Sequence, residues 1–311
     1  MENKGHKQIL FIDSGQPGPR VLISAGVHGD EYEPMLAVME LVAEVSSLLR
    51  SGSVTLIPVV NVTAYETNSR YGVDGLDLAR ICPGRADGSS SETAAAMISS
   101  YIEKADYYID MHTGGRLFNI YPLAGYMLHP LAAVLKKQQN MAKAFNLPLI
   151  WGTEGSPGGR TLSIARDANV PAIYVEYGGG NAVKKEIVAL LKEGCLNVLN
   201  TLSMISLKAL SSSCLKYWVE DYTPGGGYLQ GKLPSAATGI FIAAVVPGAS
   251  VKKGQLWGVV VNPVTHQRTE IIAGEAGMAL FVRDAAYVKE GEALGGILPV
   301  SASGKLIIHE K

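Results

Sequence analysis

Four short apolar runs, at residues 21–23, 54–60, 107–111 and 171–175, alternate with longer segments of helical spacing. This alternation constrains the fold more than any other feature of the chain. Short β-branched runs bounded by glycine or proline read as strands, and residues 33–49, 91–104, 131–144 and 184–210 read as helices between them. Strands that alternate with helices predict an α/β domain. Sheets of that kind hold their sites at the carboxyl ends of the strands.

The residues that follow three of these runs are of the types that hold metal or move protons. The first run leads through Gly26 to His28, Gly29 and Glu31, two residues of ligand type three apart on a turn. Alone, that pair also fits a surface turn. The third run ends in His112-Thr113-Gly114-Gly115 and offers a third ligand at a second strand end. Two neighbouring ligands, a long gap and a lone histidine is a common layout for a catalytic zinc site with one position left for water. Asp110 and Thr113 are then candidates for orienting the imidazoles. The last run delivers Glu176 ahead of three glycines. An acid so placed is costly to bury without a partner or a role, which makes Glu176 the candidate general base. The competing reading is a glutamate that caps or salt-bridges a nearby loop.

Residues 61–80, NVTAYETNSRYGVDGLDLAR, have neither helical nor strand periodicity. A loop of that length inside a compact domain predicts a working loop. Its cations are Arg70 and Arg80, whose forked guanidinium suits a substrate carboxylate or a developing oxyanion. Asp74 and Asp77 are the acids expected to pair with them, and solvated ion pairs of little energetic weight are the alternative.

Taken in order, AGVHGDE, NVTAYETNSRYGVDGLDLAR, IDMHT and AIYVEYG resemble the succinylglutamate desuccinylase/aspartoacylase family of zinc hydrolases, relatives of the zinc carboxypeptidases. The resemblance covers roughly residues 20 to 180. It implies a zinc-carboxypeptidase-like mixed sheet flanked by helices, and one zinc ion per chain held by His28, Glu31 and His112. It also implies that Arg70 stabilises the tetrahedral oxyanion and that Glu176 activates the zinc-bound water for hydrolysis of a linear amide, or less readily an ester. One position departs from the pattern. Members acting on N-acyl aspartate or glutamate read Asp-Leu-Asn-Arg where this chain has Asp77-Leu78-Ala79-Arg80. Ala79 removes a partner for the substrate carboxylate while Arg80 remains. A further family arginine precedes the base glutamate, and both Arg160 and Arg166 fall there. The smaller residue resembles the predicted-deacylase branch, which includes enzymes that remove acetyl from N-acetyl-diaminobutyrate. The substrate expected is a small N-acyl compound, with a peptide-cleaving carboxypeptidase as the alternative.

Organisation changes near residue 212. Residues 1–212 read as the α/β catalytic domain, and residues 213–311 as a smaller all-β domain of short strands and Gly- and Pro-rich turns. Two Val-Lys-(x)-Gly turns, in VVPGASVKKGQLWGVV and AAYVKEGEALGGIL, form a weak repeat that resembles a biotinyl/lipoyl-like barrel sandwich. A carrier module would display a lysine on its hairpin. The matching turn here, Gly274 to Met278, has none, so a degenerate carrier fold that narrows the pocket is expected. By its similar sequence context in aspartoacylase-like proteins, Tyr287 is the tyrosine expected to reach that pocket, with a barrel-core aromatic as the alternative.

A net charge of -1 over 311 residues gives no field that would favour nucleic acid or an anionic membrane. Charged residues, at 18%, are fewer than the usual ~25%, which together with 47% apolar content permits a homo-oligomer. Cys82, Cys195 and Cys214 match neither a disulfide framework nor a CxxC site, and Cys82 reads as a small buried thiol. The polar start holding His6 has no apolar core of signal-peptide length, and no stretch reaches the ~20 residues of a spanning helix. A cytoplasmic protein is expected. His129, before Pro130, reads as structural, and His266 and His309 as exposed.

Overall fold

The computed structural model describes residues 9–208, 212–229 and 233–300, and the backbone of 306–309. His6 and the side chain of His309 lie outside that set. The chain opens with β1 (Leu10–Asp13), β2 (Arg20–Ser24), α1 (Tyr32–Leu48), β3 (Ser53–Ile57), α2 (Val62–Glu66) and a 3-10 turn (Leu78–Arg80). Then come α3 (Ser90–Ile102), β4 (Tyr107–His112), β5 (Phe118–Met127), α4 (Ala132–Phe145), β6 (Leu149–Thr153), α5 (Thr161–Asp167), β7 (Ala172–Gly178) and α6 (Lys185–Thr201). The rest is strand: β8 (Tyr217–Asp221), β9 (Gly239–Ala243), β10 (Ser250–Val251), β11 (Leu256–Val261), β12 (Arg268–Ile272), β13 (Gly277–Arg283), β14 (Tyr287–Val288), β15 (Gly295–Leu298) and β16 (Leu306–His309).

The main sheet runs β1-β3-β2-β4-β7-β5-β6-β8-β16 and is mixed. Strands β3, β2, β4 and β7 are parallel, while β5 turns antiparallel to β7. The chain leaves β2 for β3 on one side and later crosses to β4 on the other. The crevice beyond the carboxyl ends of β2 and β4 is therefore a topological switch point, where open sheets bind ligands. Register aligns Ser24 with Asp110 and His112 with Glu176, so three strand ends meet at one level.

These strands are apolar on both faces because helices cover both. Val21, Ile23, Ile109 and Ile173 pack with Val38 and Leu41 of α1, Phe145 of α4 and Leu191 of α6. Leu22, Tyr108 and Ala172 face the other way, toward Ile98 of α3 and Leu162 of α5. The four expected helices are present. The last stops at Thr201, well short of residue 210, and Ser203 turns left-handed at φ 60° just beyond. Helices α2 and α5 were not expected from periodicity, being too short to display it. Among the described residues no helix is long and apolar enough to cross a membrane.

Among the described residues after 212 every named element is a strand, as the composition predicts, but the boundary does not separate two sheets. Strand β8 pairs in parallel with β6 and continues the main sheet. Strand β13 pairs with β5, setting Phe281, Val282 and Arg283 against Ile120, Asn119 and Phe118. The physical reason is apolar area: Trp151, Val219, Leu229, Leu280 and Phe281 form one buried cluster across the seam, with Phe118 and Phe281 edge to face at 5.2 Å. A second sheet, β12-β11-β9-β14, is antiparallel and packs over its own core around Trp257.

Asp74 does not pair with an arginine. Its carboxylate accepts the Ser89 hydroxyl at 2.6 Å and the Ser91 N–H and hydroxyl at 2.8 Å each, tying the long loop to the start of α3. Burial pushes its pKa up, but these hydrogen bonds outweigh that and hold it well below the usual carboxylate range. A carboxyl so depressed contributes stability above its unfolded pKa of about 4 and loses it as pH falls toward the folded value. Asp74→Ala is expected to cost about 1–2 kcal/mol in urea unfolding at pH 7, with the difference shrinking on acidification from pH 6 to pH 3. A deficit that stays constant over that range would show that the carboxylate charge is not its source.

Candidate metal centre

Glu31 occupies the N-cap of α1, where a short polar side chain would normally bond the helix's own free N–H groups. It makes no such bond. Its carboxylate instead meets His28 Nδ1 at 2.7 Å and His112 Nδ1 at 2.9 Å, and accepts the Thr113 N–H at 3.3 Å. The positive end of the helix dipole favours an anion at this position. The turn that permits it depends on glycine. A Cβ on Gly29 would fall 1.9 Å from the carbonyl carbon of Ala64, and the Gly29 N–H bonds Ser69 across the same contact. Residues 61–80 thus lie directly on the His28 turn.

Each imidazole is held from behind. His28 Nε2 lies 3.2 Å from Asp77, and His112 Nε2 lies 3.2 Å from the fully buried Asp110. Asp110 was expected in this role. Asp77 was expected beside an arginine, and it does both: Arg70 Nε and Nη2 each reach its other oxygen at 3.0 Å. Burial pushes both imidazoles down, yet the facing carboxylates outweigh it and hold His28 above, and His112 well above, the ordinary histidine range. Burial likewise pushes Glu31 up, but the two histidines hold it far below the carboxylate range. The pocket is built to stabilise positive charge.

A divalent metal fits these residues. Ligand atoms of His28, Glu31 and His112 lie within 4.8 Å of one another. Two imidazoles and a carboxylate are a donor set that zinc takes, and a carboxylate behind each ligating histidine is the usual support. With both Nε2 atoms engaged, Nδ1 is the nitrogen each ring presents, and both Nδ1 atoms face Glu31.

Glu176 stands beside His112 in the register of β4 and β7. Burial raises its pKa above the ordinary glutamate value, only partly offset by His112, Arg70 and His28. Arg70 Nη1 comes within 3.5 Å of His28 Nδ1, so one arm of its fork points into the site. Of the two arginines before Glu176, Arg166 is occupied: its guanidinium donates to the carbonyls of Gly155 and Pro157 and to Asp167. Arg160 has a buried Nε without a partner. Its charge acts on Arg80, whose pKa burial lowers most; Asp77 opposes that shift, and Arg160 and Arg70 add to it. Among the described residues no carboxylate is within salt-bridge distance of Arg80 or Arg160. Tyr287 stands on β14 with 59% of its surface exposed, which excludes the core-aromatic alternative. The tyrosine near Arg80 is Tyr228, which follows the glycines of TPGGGYLQG and was not singled out by any sequence signal. Cys82 is buried, its thiol pushed up to about 12 by that burial, as expected of a packing residue. His129 is buried between Leu131 N and Arg166 O, and His266 is exposed.

Comparison with known proteins gives this geometry a context. Residues 17–202 match the succinylglutamate desuccinylase/aspartoacylase catalytic domain. The chain is 27% identical to the N-alpha-acetyl-L-2,4-diaminobutyric acid deacetylase of Halomonas elongata over 80% of its own length and 72% of that protein's. The crystal structure of succinylglutamate desuccinylase/aspartoacylase from Rhodobacter sphaeroides superposes with a TM-score of 0.83 at 26% identity, covering 94% of this chain and 88% of that one. The product-bound ectoine utilization protein EutE (DoeB) of Ruegeria pomeroyi superposes with a TM-score of 0.84 at 25% identity, covering 93% and 87%.

Titration of the metal-free protein with zinc, followed by calorimetry, is expected to reach about one equivalent per chain. His28→Ala and Glu31→Gln should lose that uptake, whereas the exposed control His266→Ala should keep it. Equal stoichiometry in all four proteins would rule the cluster out as the binding site.

Proposed function

The chain belongs to the succinylglutamate desuccinylase/aspartoacylase family, and from that membership we propose that it is a zinc-dependent deacylase that hydrolyses the amide of a small N-acyl amino acid. The observation that carries this reading is the convergence of His28, Glu31 and His112 within 4.8 Å, with Glu176 beside them at the next strand end. A zinc ion held by the three ligands would supply Lewis acidity toward water and the acyl oxygen.

The remaining chemistry falls to the chain's own groups. Glu176, with its pKa raised by burial, takes a proton from water as the water oxygen adds to the acyl carbon. The same carboxyl then gives the proton to the nitrogen as the C–N bond breaks, so that a carboxylic acid and an amine leave. Arg70, anchored through Nε and Nη2 on Asp77, keeps Nη1 for the developing oxyanion. Loss of one such donor costs about 10²–10³ in rate. Arg80 and Arg160 form the substrate-binding pair. Among the described residues neither cation has a carboxylate in salt-bridge contact, and only Arg80 feels Asp77 at longer range, which favours a substrate that brings a carboxylate of its own. Tyr287 is the C-terminal tyrosine that reaches the substrate pocket in this reading.

N-acetyl-diaminobutyrate is the first substrate to test, because the curated relative is named for it and because Ala79 departs from the sequence usual in enzymes acting on N-acyl aspartate and glutamate. A screen of N-acetyl-diaminobutyrate, N-acetylaspartate, succinylglutamate and a dipeptide is expected to single out the first. Glu176→Gln should cut turnover by about 10²–10⁴ with zinc content unchanged. Turnover of the dipeptide alone would favour a carboxypeptidase, and full activity in Glu176→Gln would remove the base from the mechanism. Arg160→Ala should raise KM for the active substrate far more than Arg166→Ala. The reverse order would move the substrate carboxylate to the other arginine.

A further inference from the structure

Asp110 is completely buried among hydroxyl and imidazole donors. The Ser24 hydroxyl reaches Oδ1 at 2.9 Å, the Thr161 hydroxyl reaches Oδ2 at 2.5 Å, and His112 Nε2 lies 3.2 Å from the same Oδ2. The Tyr108 hydroxyl completes the cluster: it lies 2.7 Å from Ser24 Oγ and also bonds Asp110 and Thr161. Thr161 is the first residue of α5, and the residue before it is Arg160, whose N–H bonds Ser163 in that helix's first turn. The same segment lies against the other substrate arginine. A Cβ on Gly159 would fall 2.4 Å from the Arg80 carbonyl oxygen, and the Gly159 carbonyl accepts the Cys82 N–H at 3.0 Å.

A buried carboxylate has more acceptor positions than one imidazole fills, and each position left empty is costly. With His112 as sole donor, Asp110 could rotate and present either oxygen, and the ring would turn with it. The Thr161 hydroxyl takes the second position on Oδ2 and Ser24 takes Oδ1, leaving one orientation for the carboxylate. The ring is then pinned at Nε2 with Nδ1 facing Glu31.

We propose that Thr161 is a positioning residue: through Asp110 it fixes the ring of His112 for metal binding, and by anchoring the first turn of α5 it places Arg160 in the substrate-binding pair. This rests on the reading of His28, Glu31 and His112 as metal ligands. Nothing in the local sequence marks it, since the partner that gives Thr161 its role is 51 residues away.

The test is zinc affinity of the full-length metal-free protein, measured by competition with a chromophoric chelator. Thr161→Val keeps the shape and removes the hydroxyl, while Thr161→Ser keeps the hydroxyl. The valine variant is expected to bind zinc about 10–100-fold more weakly, and the serine variant to stay within about 3-fold of wild type. Should the valine variant not fold, Thr161→Ala carries the same expectation. Hydroxyl-free variants that bind zinc as tightly as wild type, or a serine variant as weak as valine, would overturn the proposal while leaving the metal centre standing. A wild type without measurable zinc affinity would overturn the metal reading, and this inference with it.

Discussion

The Glu31 carboxylate, shared between two imidazoles at the start of α1, is the interaction on which the site depends. A buried anion is unfavourable unless its charge and lone pairs are met. Here His28, His112 and the Thr113 N–H meet them, and in doing so draw the end of β2 to the end of β4. The helix gives up its ordinary cap for this. A residue that serves the site at the expense of its own helix is the kind of local conflict that marks function.

Around that centre the acids form an outer layer. Asp77 stands behind His28 and grips Arg70; Asp110 stands behind His112 and is gripped by Thr161 and Ser24. Each carboxylate therefore couples a metal-ligand candidate to a segment bearing a candidate substrate arginine. The close approach at Gly29 lays residues 61–80 on the site, and the β13–β5 pairing fixes the C-terminal strands beside it. Arg283 completes that seam. Its buried guanidinium donates to the carbonyls of Ala285, Ala293 and Tyr287 and to Glu292, holding the backbone of Tyr287 in place.

Much of the centre was legible because strand ends are marked locally. His28, His112 and Glu176 each follow an apolar run, and parallel strands buried on both faces must place their carboxyl ends together. Roles that depend on partners distant in sequence were less legible. Asp74 and Asp77 sit three apart in one loop and look equivalent, yet one secures α3 and the other a metal-ligand candidate. Arg160 and Arg166 could not be told apart until the carbonyls of Gly155 and Pro157 were seen to occupy the second. The boundary at residue 212 followed a change in composition, but β8 and β13 pair across it because the apolar side chains on either side of the boundary bury one another in one cluster.

The amino-acid sequence by itself determined the α/β class, the strand-rich character of the C-terminal segment, the candidate ligand and base residues and the family, since these are written in short-range periodicity and in motifs a few residues long. Only the tertiary structure decided which acid stands behind which histidine, which arginine is left without a carboxylate, and that Thr161 anchors Asp110. Hydrogen bonds of 2.5–3.2 Å between residues 49 and 51 positions apart depend on how strands and loops are brought together, and no local spacing encodes that.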